Sequence, residues 1–230
     1  DKLGSRNKEC PREMRLCGPR ASYISSTLKN FLKEDDRLFT TNVRYKETNS
    51  KDVVRLVSSK EFDLGIVRCQ VLYEPFFLKM IQDEHLDSKV LWQFSPKVLM
   101  SPSHPLAGKE PLDHLDFSQS VELLQGDIQY PSFTPENTDC VLPDSDPRHT
   151  IYIYDRGSQY EFLRHLPGAY MWTSPVPYST LTEAKLIQRE CTRPDNVFKD
   201  LLVCRSNYRL SKAETELTQW LGRTISQLSD

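Results

Sequence analysis

Three arginines and a group of hydroxyl side chains are placed where a small anion could be held. Arg20, Arg68 and Arg156 each follow a segment predicted to be a β-strand, and an arginine can pair in a bidentate way with a carboxylate or phosphate. Hydroxyls near predicted helix starts could donate to the same anion, beside free backbone N–H groups and the positive end of the helix dipole. The predicted ligand-binding residues are Arg20, Ser22, Thr48, Asn49, Ser50, Arg68, Gln125, Arg156, Ser158 and Thr173.

Most of these residues also have a purely structural interpretation. Ser22, Ser50 and Ser158 are suited to cap helix N-termini, which contributes about 1 kcal/mol each. The arginines could equally form solvated or salt-bridged surface groups. Tyr130 and Tyr170 could line a pocket, although aromatic residues in strands more often belong to the core.

Catalysis would need a nucleophile and a base, and Cys69 with His104 or His165 is the candidate combination. The sequence has no nucleophile-elbow or phosphate-loop motif, and its Cys and His residues are not at metal-ligand spacing. We therefore expect no enzymatic activity, no catalytic residue, no metal and no cofactor. The six scattered cysteines favour reduced thiols of a cytoplasmic protein, with disulfides or a redox sensor as alternatives.

The candidate residues are placed by an alternation of predicted strands and helices. The apolar spacing predicts a strand at 14–18, a helix at 23–36, a strand at 42–47, a helix after Ser50 and a buried strand at 64–67. Ligands of open α/β sheets bind at the carboxyl ends of the strands, which is where the arginines lie.

Further strands and helices are predicted downstream. The strand patterns lie at 90–94, 96–100, 121–124, 150–154, 169–173, 185–187 and 201–204, with a surface loop at 130–148. Capping-box patterns predict helices opening at Ser158 with Glu161 and at Ser211 with Glu214. The last helix carries one apolar stripe formed by Leu217, Trp220, Leu221, Ile225 and Leu228.

Composition argues against nucleic-acid binding and against a membrane span. The chain has 230 residues, a net charge of -2 and 27% charged residues, so it lacks the basic surplus that phosphate-backbone binding requires. It also has no apolar run near the ~20 residues of a membrane span. Residues 1–9 lack apolar periodicity, and we expect a linker or a truncation boundary there.

Two motifs in the expected order indicate a family. Residues 14–68 combine the strand, helix and turn order above with Asp63-Leu-Gly-Ile66, and His104-Pro-Leu106 follows a later strand. In this order the chain from about residue 12 onward resembles the effector-binding domain of LysR-type transcriptional regulators.

The resemblance implies an α/β fold of two Rossmann-like subdomains joined by two crossover strands, like a type II periplasmic binding protein. Residues 1–11 would be a linker, 12–92 plus 191–230 subdomain I, and 93–190 subdomain II. It also implies a small-molecule effector and a homodimer, or a tetramer in the full-length protein. DNA would be contacted only through an N-terminal domain missing here, and no membrane contact is expected. The expected dimer surfaces are the helix at 23–33 with its neighbouring strand, and the helix at 159–165.

The leading hypothesis is therefore an effector-sensing regulatory domain that binds a small, anionic metabolite between its subdomains. The alternative is an extracytoplasmic solute-binding protein of similar fold, and a third hypothesis is a small α/β enzyme. Stable disulfides would favour export, whereas free thiols favour the cytoplasm.

Overall fold

The structure is a computed structural model that describes residues 12–34, 37–127, 149–192 and 197–229. The predicted surface loop at 130–148, with Tyr130, lies outside the described residues, as do Cys10 and Cys140.

The described chain alternates strands and helices. The first run is β1 (Arg12–Gly18), α1 (Ser22–Lys33), α2 (Arg37–Thr40), β2 (Thr41–Glu47), α3 (Ser50–Ser58), β3 (Leu64–Gln70), α4 (Glu74–Asp83) and β4 (Leu86–Phe94). The second run is β5 (Lys97–Met100), β6 (Val121–Gln125), β7 (His149–Ile153), α5 (Arg156–His165), β8 (Ala169–Thr173), α6 (Tyr178–Ala184) and β9 (Ile187–Arg189). The chain then continues through β10 (Phe198–Arg205) and α7 (Lys212–Ser229), and two short 3-10 helices lie at Val71–Tyr73 and His114–Gln119.

Two five-stranded mixed sheets organise these elements. The first has the order β2-β1-β3-β10-β4, with β1 parallel to β2 and β3, and β10 antiparallel to β3 and β4. The second has the order β7-β6-β8-β5-β9, with β6 parallel to β7 and β8, and β5 antiparallel to β8 and β9. In each sheet, three neighbouring strands are thus parallel, the fourth is antiparallel to the third, and the fifth is antiparallel to the fourth.

The chain crosses from the first sheet to the second between β4 and β5, and returns between β9 and β10. We call the first sheet with its helices the first lobe, and the second sheet with its helices the second lobe. The predicted α/β architecture is confirmed, whereas the subdomain boundaries near 92/93 and 190/191 stay predictions.

Helices cover both faces of the first sheet. Buried residues of α1 and α7, with Tyr23, Phe31 and Leu217 among them, form one core with strand residues such as Ile66. Buried valines and leucines of α3 pack with Phe77 of α4 in the core on the other face. This burial of apolar side chains is the main stabilising contribution to each layer.

The final helix matches its sequence pattern. Ser211 N donates to Glu214 Oε2 at 2.7 Å and Glu214 N donates to Ser211 Oγ at 3.3 Å, which is the predicted capping box. Leu217, Leu221 and Ile225 are buried, and Trp220 packs against the same core. The predicted apolar stripe is confirmed.

The second lobe has a core on each face of its sheet. Leu123, Leu163 and Met171 belong to the core under α5 and α6. Phe117 and Tyr170 lie in the core of the opposite face, with ring centroids 4.3 Å apart. Tyr170 is therefore a core residue rather than part of an open pocket.

Four sequence expectations need correction. Helices α4 and α6 were not predicted, since short apolar runs with few buried positions give a weak helical pattern. The strand predicted at 185–187 begins only at Ile187, because Lys185 ends α6 in the left-handed conformation with φ of 54°. The helix α5 begins at Arg156, two residues before the predicted capping serine. Strand β3 continues past Arg68 to Gln70.

Among the described residues, no helix combines the length and the apolar character needed to cross a membrane.

Candidate functional site

The two lobes meet where strands end and helices begin. On the first lobe the β1–α1 and β2–α3 turns reach this region, and on the second lobe the end of β6 and the β7–α5 turn do so. We call the space bounded by these four segments the cleft. In α/β sheets this position, outside the carboxyl ends of parallel strands, is the usual place for a ligand.

Arg20 lies in the β1–α1 turn and spans the cleft. Its guanidinium pairs with the Asp127 carboxylate, which follows β6, and donates to the backbone carbonyl of Tyr154 at 2.7 Å. The Arg20 side chain is only 10% exposed, and that of Asp127 is 28% exposed. An ion pair so shielded is screened less by salt than a fully exposed one.

Arg156 makes a second bridge from the opposite side. It is the first residue of α5, and its Nη1 lies 2.9 Å from Glu47 Oε1 and 2.9 Å from Ser25 Oγ of the first lobe. Glu47 also accepts from the Tyr45 hydroxyl at 3.1 Å. Burial and the neighbouring Glu47 carboxylate both raise the pKa of Tyr45, so this hydroxyl stays a hydrogen-bond donor at neutral pH.

A neutral contact joins the same two walls. Ser22 Oγ lies 2.6 Å from the Tyr160 hydroxyl, and Ser22 is buried. We call the three contacts Arg20–Asp127, Arg156–Glu47 and Ser22–Tyr160 the cross-lobe bridges. They bring together three of the predicted site residues, Arg20, Ser22 and Arg156.

The start of α1 differs from the other helix starts of the cleft. Its N-cap is Ala21, no side chain caps it, and its first turn contains no acidic residue. The first backbone N–H groups of a helix have no partner inside that helix. With Arg20 immediately before it and Ser22 as its first residue, this N-terminus has the donors that an anion needs.

The start of α3 is satisfied by its own side chains. Asn49 is the N-cap and accepts from Asp52 N at 2.9 Å, while Thr48 Oγ1 donates to Asp52 at 3.2 Å. Ser50 Oγ bridges the backbone of Arg68, donating to its carbonyl at 2.6 Å and accepting from its N–H at 3.0 Å. These three predicted site residues therefore hold the β2–α3 turn, and ligand contact by them stays a prediction.

The start of α5 is capped by Asp155, whose carboxylate accepts from Ser158 N at 2.8 Å. The predicted Ser158 capping box is therefore wrong, because the aspartate before the helix competes successfully as N-cap. The interpretation of Ser22 and Ser50 as N-caps is also wrong, since each is the first helical residue behind a different N-cap.

Two further predicted site residues lie at strand ends of the second lobe. Gln125 is the last residue of β6 and is half-buried, two positions before Asp127. Thr173 is the last residue of β8, and its Oγ1 accepts from Gln188 at 2.7 Å.

Arg68 is committed to the interior of the first lobe. Its Nε and Nη2 donate to the two Asp200 carboxylate oxygens at 2.8 and 2.7 Å. Tyr23 and Trp92 donate to the same carboxylate at 2.8 and 3.3 Å, and the Phe94 ring lies 4.9 Å from the guanidinium. Burial acts to lower the pKa of Arg68, but the Asp200 carboxylate offsets this and raises it. The predicted role of Arg68 in anion binding stays a prediction, and its charge is already balanced.

Sequence reasoning missed the partners of the arginines. These are Ser25, Glu47, Asp127 and Asp200, and Tyr160 is the missed partner of Ser22. Glu47 ends β2 and Asp127 follows β6, so both obey the strand-end rule that selected the arginines. Applying that rule to carboxylates as well as to cations would have found them.

The candidate nucleophile is poorly placed for catalysis. Cys69 is buried, and burial raises the pKa of its thiol to about 12, which disfavours the reactive thiolate. Burial lowers the pKa of His104 in the second lobe. No group of His, Cys, Asp and Glu among the described residues is arranged to hold a metal ion.

Sequence comparison matches part of the chain to a known family. Residues 37–127 match the family described as the LysR substrate binding domain. The matched segment runs from α2 to Asp127, and so includes both carboxylates of the charged cross-lobe bridges. No curated protein matches the chain.

Solved structures agree with this assignment at the level of the fold. The effector-binding domain of QuiR in complex with shikimate is 14% identical, with a TM-score of 0.58 over 94% of this chain and 97% of QuiR. The regulatory domain of MetR from N. meningitidis is 13% identical, with a TM-score of 0.59 over 94% of each chain. The reduced regulatory domain of OxyR2 from Vibrio vulnificus is 17% identical, with a TM-score of 0.61 over 92% of this chain and 95% of OxyR2.

The chain therefore has the predicted fold, like a type II periplasmic binding protein. The alternative of an extracytoplasmic solute-binding protein is not favoured. The described cysteines Cys17, Cys69 and Cys204 are free thiols.

Proposed function

We propose that this domain senses a small anionic effector, which binds in the cleft between its lobes. The observation that supports this most directly is the convergence of Arg20, the uncapped start of α1 and Arg156 on one space between two α/β lobes. The effector would take its charge partner from Arg20 and its hydrogen bonds from the first turn of α1.

An anion suits this space better than a neutral or cationic molecule. The donors at the start of α1 carry no capping side chain, in contrast with α3 and α5, which are capped by Asn49 and Asp155. Shikimate, the ligand solved with QuiR, is a small carboxylate, which is consistent with an anion site in this fold. Sensing would work by population shift, in which the effector favours one relative orientation of the lobes.

We further propose that the orientation change is passed on through a homodimer in the cytoplasm to DNA-binding domains outside this chain, and that the full-length protein can be a tetramer. Exposed apolar side chains lie near both expected surfaces: Leu38 and Phe39 on α2, beside α1 and β2, and Phe162 on α5 with Leu166 directly after it. Burying such side chains against a second copy would stabilise the dimer.

Sedimentation velocity tests the dimer. Phe39→Glu should shift the chain towards monomer, because a charge would be buried in the interface. The control is Leu72→Glu, which changes a residue of similar exposure on the 3-10 helix after β3. A wild-type chain that remains monomeric at high concentration would contradict the proposed dimer.

A thermal-shift screen tests the effector. The chain is heated with small carboxylates, phosphates and aromatic acids, beside neutral and cationic analogues of each. A ligand at 100 times its Kd adds about 2.7 kcal/mol to the stability of the folded chain, which raises Tm measurably. Stabilisation by anions, reduced in Arg20→Gln, is expected. Stabilisation by neutral or cationic compounds alone would contradict the anionic site.

A further inference from the structure

We propose that Asp127 is an internal competitor of the effector: its carboxylate closes the lobes through Arg20 and must be displaced before an effector anion can pair with that arginine. This inference rests on the proposed function. It assigns to Asp127 a role in specificity, and to the charged cross-lobe bridges a role in holding the two lobes together.

The charged cross-lobe bridges differ from the other well-shielded ion pairs described. Arg68 with Asp200, Arg15 with Asp63 and Lys199 with Glu74 each join parts of the first lobe. Arg20 with Asp127 and Arg156 with Glu47 each join one lobe to the other. Breaking the latter pairs removes two of the contacts between the lobes without removing a charge partner from either hydrophobic core.

The position of Asp127 explains the competition. Because Arg20 lies two positions before the first residue of α1, we treat its guanidinium and the uncapped N–H groups of that helix as one set of donors. The Asp127 carboxylate is the anion on the guanidinium of that set, supplied by the opposite lobe. An effector carboxylate or phosphate would need the same guanidinium nitrogens.

Release of Asp127 is feasible because its side chain is 28% exposed and can turn into water. Arg20, at 10% exposed, is more shielded than Asp127 and also donates to the Tyr154 carbonyl of the second lobe. The arginine therefore stays while the carboxylate leaves. Only an anion replaces the lost charge partner, so neutral molecules of the same shape bind less well.

Two variants of the Arg20–Asp127 bridge distinguish a competitor role from a purely structural one. Asp127→Asn and Arg20→Gln both remove the bridge, so both should open the lobes. Their effects on anion binding should be opposite, because the first variant removes the competitor and the second removes the receptor. A bridge with only a structural role would open the lobes without raising anion affinity in Asp127→Asn.

Small-angle X-ray scattering on the size-exclusion peak measures the opening. The radius of gyration should rise in both variants, return towards wild type in the swapped variant Arg20→Asp/Asp127→Arg, and stay unchanged in Arg55→Gln. Arg55 is the control because its ion pairs with Asp52 and Glu61, at 3.4 Å, lie within the first lobe. Glu47→Gln, which removes the other charged bridge, is the second variant if Asp127→Asn folds poorly.

Calorimetric titration with inorganic phosphate measures the competition. Asp127→Asn should bind phosphate at least about fivefold more tightly than wild type, the lower end of usual coupling between sites, and Arg20→Gln more weakly. An Asp127→Asn variant with wild-type radius and wild-type phosphate affinity would overturn the competitor role. Phosphate affinity that is equal in wild type and Arg20→Gln would instead overturn the proposed anion site, so the two failures are distinguishable.

Discussion

Replacing Asp200 with asparagine removes the charge that balances Arg68 inside the first lobe. Asp200 has no exposed surface, and the Arg68 side chain is 16% exposed, so the guanidinium would be left shielded from water without a counter-charge. Asparagine keeps the shape and one carbonyl oxygen, so the change tests charge rather than packing.

The contacts set the expected size of the effect. Removing one partner of a buried ion pair typically costs about 3–5 kcal/mol. Asp200 also accepts from Tyr23 and Trp92, so the amide of asparagine would place its NH₂ group against one of these donors. We therefore expect Asp200→Asn to lower the free energy of unfolding by about 3–5 kcal/mol. Since whole domains are stable by about 5–15 kcal/mol, the variant should still fold.

Urea-induced unfolding, followed by circular dichroism, gives this value directly. Asp83→Asn is the matched control, because its side chain is 61% exposed and pairs with Lys79 only at the surface of α4. The control should cost below about 0.5 kcal/mol. Tyr23→Phe should cost less in the Asp200→Asn background than alone, since the hydroxyl then faces no carboxylate. A loss below about 1 kcal/mol in Asp200→Asn would refute the assignment of a buried charge pair.

Three further predictions concern stability. Burial raises the pKa of the Cys17 and Cys69 thiols from 9.0 to about 12, so only the unfolded chain ionises them over this range. The free energy of unfolding should fall as pH rises from 9 towards 12, by about 1.4 kcal/mol per pH unit for each thiol. Replacing either cysteine with alanine should make this fall less steep. An unchanged slope in the alanine variants would contradict the burial of these thiols. Gly65→Ala places a Cβ 2.6 Å from a valine methyl of α3 and should cost about 1–3 kcal/mol in urea unfolding, whereas Gly108→Ala meets open space and should cost little. Gln159 is buried with no partner for its Nε2 among the described residues, so Gln159→Met should raise stability by about 1 kcal/mol, and a loss of that size would mean the amide is satisfied.

The order of elements could be predicted where the apolar pattern was long and regular. The early β-α-β-α-β run and the final helix follow from side chains at helical or strand spacing, and the Ser211 cap from a local motif. The serine at 158 carries the same local motif, but Asp155 precedes it and starts the helix earlier. A local motif alone does not show which of two possible N-cap residues within one turn starts the helix.

The pairing within the cleft could not be predicted for a different reason. The location of Arg20 and Arg156 follows from strand ends, which are visible in the sequence. Their carboxylate partners belong to the opposite lobe, and Asp127 is 107 positions from Arg20. Arg68 and Asp200 are 132 positions apart. Which cation meets which anion is set by how two lobes close, and no local pattern contains that information.

An effector anion should bind at Arg20 in the cleft. Calorimetric titration of the most stabilising carboxylate or phosphate from the screen into wild type and Arg20→Gln tests it most directly. We expect one site per chain, with affinity at least about tenfold weaker in the variant, corresponding to the loss of roughly 1.4 kcal/mol or more from a charge-assisted pair. Equal affinity in the two proteins would contradict it.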